Sequence, residues 1–272
     1  MNKKRIESGQ TDRQTDRIPR VIHYCWFGKN EKPKLFYRCL ESWKRYCPDY
    51  EIIEWNEENF DVGIISYVKE AYEAKKWAFV TDYARLWIIY HYGGIYLDTD
   101  VEIIKPLDCL LENEAFFGYE DEKSIATGLG FGARKGNPIV RKMMTDYSDE
   151  HFLNADGSYN KKTCPVRNTE SISDLLPEKL DGKIINIENA TLFPPEFFCP
   201  LSSDGKTMRK TKNTFSVHWF SASWLSKEEM VVHEWRIFLG KCERYLGKKF
   251  GKLFARFIYL FMPGKRSVLK RM

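Results

Sequence analysis

The sequence has no apolar run long enough to cross a bilayer. The longest near its C-terminus, Phe257–Met262, falls far short of the roughly 20 residues a spanning helix needs. No hydrophobic segment opens the chain either: Met1–Arg17 is polar, which predicts no signal peptide. None of the seven cysteines falls in a CxxC pair and their number is odd, so reduced thiols, several of them buried, are expected. There is no internal repeat and no low-complexity tract. A hydrophobic content of 43% with 15% aromatics excludes a disordered chain. The expectation is a cytoplasmic protein of one large domain or two small ones, with docking on the inner face of the cytoplasmic membrane left open.

Acid is the scarce residue at one end. From Arg236 to Met272 there are 11 basic side chains against the single acid Glu243, so that segment carries +10 while residues 1–235 carry −5. Leu239, Cys242, Leu246, Phe250, Leu253, Phe257 and Phe261 recur there at spacings of three and four, with Lys241, Arg244, Lys248, Lys252 and Arg256 opposite. The pattern predicts a basic amphipathic helix. Either it binds an anionic membrane surface through 236–272, or its apolar face packs on the rest of the protein. Gly240, Gly247 and Gly251 lower its helix propensity, so ordering on contact is one option. No nucleic-acid-binding motif accompanies the charge, which argues against nucleic acid as the partner.

Residues 1–17 read as a disordered arm, 18–235 as the folded domain and 236–272 as the basic tail. A strand is predicted over Ile18–Gly28, a short helix through Leu35, Leu40 and Trp43, a strand at Tyr50–Trp55 and a helix over 64–76. Ala78–Tyr92 is the clearest helix, stopped by Gly93-Gly94. Ile95–Leu97 reads as a strand running into Asp98-Thr99-Asp100, with Val101–Ile104 continuing extended. Short strands are expected near Phe116–Tyr119 and Gly130–Gly132. This strand–helix alternation predicts an α/β fold with crossovers.

The informative chemistry lies between Asp82 and Asp100. Asp82 and Arg85 are three apart on a helix and share a face. If extension persists, Tyr96, Asp98 and Asp100 share one face of a strand. Carboxylates at the end of a strand in an α/β sheet sit where ligands bind. Two so close repel unless a cation lies near, which points to Mn²⁺ or Mg²⁺ held together with phosphate oxygens of a ligand. A bare Asp-x-Asp occurs by chance in many proteins, and Asp82/Arg85 alone is more often a local salt bridge.

The combination is more specific. Ala78-Phe79-Val80-Thr81-Asp82-Tyr83-Ala84-Arg85-Leu86 followed by Gly93-Gly94-Ile95-Tyr96-Leu97-Asp98-Thr99-Asp100 resembles glycosyltransferase family 32, whose sugar-binding region contains a DXD motif. Members include initiating mannosyltransferases, bacterial capsular polysaccharide transferases and glucosylating toxins. Ile18–Gly28 resembles that family's first strand, and His218-Trp219-Phe220-Ser221-Ala222-Ser223-Trp224 its closing motif. The three motifs occur in the family's order.

The resemblance implies a GT-A fold, a single nucleotide-sugar-binding domain with a central mixed sheet. By similarity Trp26 lies near the nucleotide base, although a core tryptophan would look the same. Asp82 and Arg85 would grip the donor, Tyr96 would line the base or ribose pocket, and Trp224 would close over the pyrophosphate. Asp98 would contact ribose or sugar directly or through the metal, and Asp100 would ligate the metal. His218 is a candidate further ligand, or else a satisfied core histidine. Asp98, Asp100 and Arg85 form the implied catalytic set. Gly128–Gly132 could border the donor sugar or only mark turns. Cys164 stands where the family often has glycine before proline.

The implied activity is metal-dependent, retaining transfer of a hexose from a UDP- or GDP-sugar to a polysaccharide or lipid-linked glycan acceptor. No carboxylate can be assigned as a nucleophile, so the implied route is front-face attack, with the leaving phosphate helping to deprotonate the acceptor. A catalytically inactive, transferase-like scaffold docked on membranes is the alternative, and an unrelated metal-dependent phosphoryl or nucleotidyl transferase a third reading.

Overall fold

The computed structural model describes residues 17–120, 124–202 and 207–221, and between 231 and 257 the residues 231, 235, 238–240, 242–243, 245–247, 249–251, 253–254 and 257. The expected disordered arm, apart from Arg17, lies outside the described residues, as does the turn expected over 203–206.

In chain order the elements are β1 (Val21–Cys25), α1 (Lys34–Tyr46), β2 (Glu51–Trp55), α2 (Ser66–Glu73), α3 (Trp77–Tyr92), β3 (Gly94–Tyr96) and β4 (Val101–Ile103). Then follow β5 (Ala115–Gly118), β6 (Phe131–Ala133), α4 (Pro138–Thr145), α5 (Cys164–Ser171), β7 (Ile185–Ile187), β8 (Ala190–Phe193), α6 (Pro195–Phe198) and β9 (Ser216–His218). Seven strands form one mixed sheet in the order β2-β1-β3-β6-β5-β8-β7. The predicted α/β fold with a central mixed sheet is therefore present. β1, β2 and β3 run parallel, and β6 pairs antiparallel with both β3 and β5. Pro194-Pro195, read as a turn, opens the short α6, where a proline at the first helical position costs no hydrogen bond.

Alternate residues of each strand feed two cores, as a sheet covered on both faces requires. Ile22, Tyr24, Ile95, Leu97 and Phe116 join one with α1 and α6. Cys25, Tyr96, Phe117 and Phe131 join the other, with α2, α3 and α4. Helix α3 is buried on most of its circumference, and among its buried residues are Asp82 and Arg85. Its stop needs glycine for a packing reason: a Cβ on Gly94, which has φ +105°, would lie 2.8 Å from the Val21 carbonyl oxygen. All seven cysteines are free, and Cys109 alone is exposed.

Two readings of local structure are corrected. Extension does not persist through Asp98-Thr99-Asp100. The chain turns there, with Val101 N–H donating to the Asp98 carbonyl at 3.0 Å, and β4 leaves the main sheet to pair antiparallel with β9. The basic tail is also not one continuous helix. Its described residues are helical, but the backbone breaks at Gly247, where φ is +75°.

Beneath the site, His23 on β1 is buried and held from both sides. Trp55 Nε1–H donates to His23 Nδ1 at 3.0 Å, and His23 Nε2 lies 2.9 Å from the Gly93 carbonyl oxygen. These partners require the neutral tautomer protonated on Nε2, because a proton on Nδ1 would face the indole N–H. Burial accordingly pushes the imidazole down to about 4 from its ordinary 6.5. A lowered folded-state value stabilises the fold above pH 6.5, and the contribution drains away as pH falls to about 4. The loss is about 3 kcal/mol. Urea unfolding at pH 7 and pH 4 should show this loss in the wild type and its disappearance in His23→Gln.

Candidate functional site

The site forms where the parallel strands end. Leu97 N–H donates to the His23 carbonyl at 3.0 Å, which continues the β1–β3 pairing one residue beyond β3. Asp98 thus emerges at the carboxyl edge, where Trp26 follows β1. The tight turn then swings Asp100 round, and β9 locks it in place. Val101 pairs with His218, Trp219 N–H donates to the Asp100 carbonyl at 3.1 Å, and Ser221 N–H donates to Asp100 Oδ2 at 2.7 Å. His218 Nε2 is 3.2 Å from Asp100 Oδ1.

Asp98, Asp100 and His218 each offer a ligand atom, all within 4.8 Å of one another. Burial alone would raise the Asp100 carboxyl, yet His218 and the two donated bonds from Ser221 hold it well below the usual carboxylate range. It is therefore ionised throughout the physiological range. Among the described residues, His218 Nδ1 is buried without a hydrogen-bond partner. Two carboxylates and an imidazole make a donor set that fits a divalent ion. Carboxylates suit Mg²⁺ and Mn²⁺ alike, and the nitrogen favours Mn²⁺.

Arg85 is the second centre. Its Nη2 lies 3.1 Å from Asp82 Oδ1 and 3.3 Å from Asp98 Oδ1, at 5% side-chain exposure. Its Nε–H donates to the Thr81 carbonyl, and the guanidinium lies 5.1 Å from the Tyr96 ring centroid. Tyr96 O–H donates to Asp98 Oδ1 at 3.1 Å. Arg85 and Tyr96 therefore fix Asp98 from below, and Tyr96 itself is buried. Burial pushes Asp82 up to about 6 against the pull of Arg85. Asp98 is raised for the same reason, with Asp100 adding to it. One permanent cation is thus shared between two carboxylates that are costly to keep ionised.

A third group closes over this pair. A Cβ on Gly128 would meet Asp98 Oδ2 at 2.5 Å and Arg85 Nη1 at 3.1 Å, so this glycine lies directly against both side chains. Thr127 Oγ1 is 3.1 Å from Cys164 Sγ and accepts from Asn168 Nδ2 at 3.0 Å. Cys164 Sγ in turn lies 3.9 Å from Arg85 Nη1, and Asn168 Oδ1 is buried without a partner among the described residues. Asn168 and its neighbour Arg167 were not foreseen. Arg167 is buried between the Tyr67 and Tyr147 rings and pairs with Asp146 and Glu150. Nothing in a segment that reads as polar announces such burial.

Trp26 is half-buried. Its ring packs near Phe36, and Nε1–H donates to the Asn30 carbonyl at 2.8 Å. Trp224 lies outside the described residues, although the motif it closes is described as far as Ser221. The structure thus brings together Asp82, Arg85, Tyr96, Asp98, Asp100 and His218.

Residues 33–117 match the family described as "Glycosyltransferase sugar-binding region containing DXD motif". The chain is 33% identical over 132 residues to inositol phosphoceramide mannosyltransferase 1 of Schizosaccharomyces pombe, which covers 42% of this chain and 40% of that protein. It is 31% identical over 141 residues to mannosyl phosphorylinositol ceramide synthase CSH1 of Saccharomyces cerevisiae, covering 47% and 34% respectively. It spans less than half the length of these relatives. The solved structure of PaToxG glycosyltransferase overlaps 61% of this chain and 73% of its own, with a TM-score of 0.45 and 19% identity. With its DXD turn, the Asp82–Arg85 pair preceding it and this sequence match, residues 33–117 are similar to the glycosyltransferases whose sugar-binding region contains the DXD motif.

Proposed function

We propose that the chain transfers a hexose from a UDP- or GDP-sugar to a glycan or glycolipid acceptor, with retention of configuration. The observation that carries this is the convergence of Asp98, Asp100 and His218 within 4.8 Å, beside an arginine that links Asp98 to Asp82. The relatives' names support mannose as the sugar and a lipid bearing a phosphoinositol head group as the acceptor class.

Asp100, Asp98 and His218 would hold Mn²⁺ or Mg²⁺, and the ion when bound would neutralise the diphosphate of the nucleotide. The chain's own residues do the rest. Arg85, charged at every accessible pH, places a fixed cation where negative charge grows on the leaving group. Asp98, held by Tyr96 and Arg85, is presented in one orientation to a ribose or sugar hydroxyl. Asp82, titrating near pH 6, can accept or donate a hydrogen bond to a sugar hydroxyl. The route is front-face transfer, in contrast to the double displacement of retaining hydrolases.

The test is a panel of UDP- and GDP-hexoses with Mn²⁺, Mg²⁺ or EDTA, read by thermal shift, by release of nucleoside diphosphate and by NMR of the product anomer. The expected outcome is one preferred donor, dependence on metal and a retained anomeric configuration. No shift and no release with any donor would overturn the reading in favour of an inactive scaffold.

A further inference from the structure

The apolar positions of the C-terminal segment do not lie along one straight helix. Described residues on both sides of Gly247 are helical, but Gly247 itself has the left-handed φ of +75° that ends helices. A Cβ on Gly251 would lie 2.5 Å from the Cα and N of Glu243 and 2.6 Å from the carbonyl carbon of Cys242. Residues eight apart on a straight helix are separated by about 12 Å along its axis. The chain has therefore turned back at Gly247, and its two arms touch at Gly251, where only a glycine fits. Cys242 and Gly251 are buried at this crossing.

The hairpin exposes several large apolar side chains. Tyr245 and Leu246 precede the turn and Phe250, Leu253, Phe254 and Phe257 follow it, and all six are exposed, Tyr245 at 79%, Phe250 at 66% and Leu253 at 64%. Single exposed apolar side chains are ordinary, whereas a cluster within one short hairpin marks a surface that meets another apolar phase. The surrounding sequence from Arg236 to Met272 carries +10.

We infer that this glycine-hinged hairpin is an interfacial anchor for an anionic lipid bilayer. Its aromatic and leucine side chains enter the acyl boundary, and its lysines and arginines meet the anionic head groups. Charge complementarity selects this occupant. A second copy would bring +10 against +10 in a self-complementary contact, and a nucleic-acid backbone offers no apolar phase for six large side chains. The anchor lies in the interface and does not span it: among the described residues no helix is long and apolar enough to cross a membrane. The inference is independent of which sugar the site at Asp98–Asp100 transfers.

The experiment is flotation of the full chain with vesicles of phosphatidylcholine alone and of phosphatidylcholine mixed with phosphatidylglycerol. Recovery is expected with the anionic vesicles only. It should fall by about tenfold or more in the double variant Leu253→Glu/Phe257→Glu, whose thermal unfolding and donor hydrolysis stay unchanged because both positions are exposed. Gly251→Leu, which forces the arms apart, should weaken recovery too. Undiminished flotation of the double variant, no flotation of the wild type, or a wild-type dimer that this variant dissolves in light scattering would each overturn the proposal.

Discussion

Replacing Asp100 with asparagine is expected to lower kcat by about a thousandfold, the scale on which loss of one transition-state charge contact is felt, with a smaller loss of thermal stability than alanine brings. The reason lies in how Asp100 is used twice. Its carbonyl and carboxylate receive Trp219 N–H and Ser221 N–H and face His218, and this fastens β9 to β4. The same carboxylate supplies the strongest anion of the Asp98–Asp100–His218 cluster. Asparagine keeps an oxygen for Ser221 and removes the charge. Alanine removes both, so Asp100→Ala should lose turnover and also about 1–3 kcal/mol of stability from the unsatisfied buried donor. Comparing the two by steady-state kinetics and calorimetry separates chemistry from scaffold. An asparagine variant that turned over near the wild-type rate with metal present would remove Asp100 from the site.

The second large effect concerns stability as much as activity. Arg85→Met preserves most of the volume but strands two buried carboxylates that already resist ionisation, Asp82 at about 6 and Asp98 raised alongside it. Breaking a buried ion pair from one side costs about 3–5 kcal/mol. For a chain of this size that corresponds to a fall in Tm of roughly 10 °C. The penalty should shrink as pH falls through 6, because the orphaned carboxylates then take up protons. Arg85→Lys keeps the charge without the planar fork that reaches both partners. It should recover much of the Tm and little of the turnover. Equal loss of Tm at pH 5 and pH 8 in Arg85→Met would mean that the pairing energy is not what holds this region.

The elements nearest the site were the most legible. Helix α3 and strand β3 fall within a residue of their expected limits because Gly93-Gly94 is a chain stop with a steric reason, the approach of Val21 and His23. Asp82, Arg85, Asp98 and Asp100 were visible as residues, but their arrangement was not. Strand periodicity put Asp98 and Asp100 on one face of an extended chain, whereas a turn and a pairing with a distant strand bring them together. Local pattern carries no information on such a pairing, and His218 was reachable only through resemblance. Thr127, Cys164 and Asn168 line the same centre from segments with no periodic signal. In the tail one positive-φ glycine gives a shape that the spacing of apolar residues does not reveal.

The joining of Asp100 to Ser221, 121 residues apart, also has a consequence in time. A ribosome releases the DXD turn long before it releases β9, and contacts this distant in sequence are among the last that a chain can close. The growing polypeptide therefore carries Asp98 and Asp100 without His218 until most of it has been made. The cluster is completed only with the strand that carries His218, and a chain cut short before it would lack the bonds from Trp219 and Ser221 that fasten the turn.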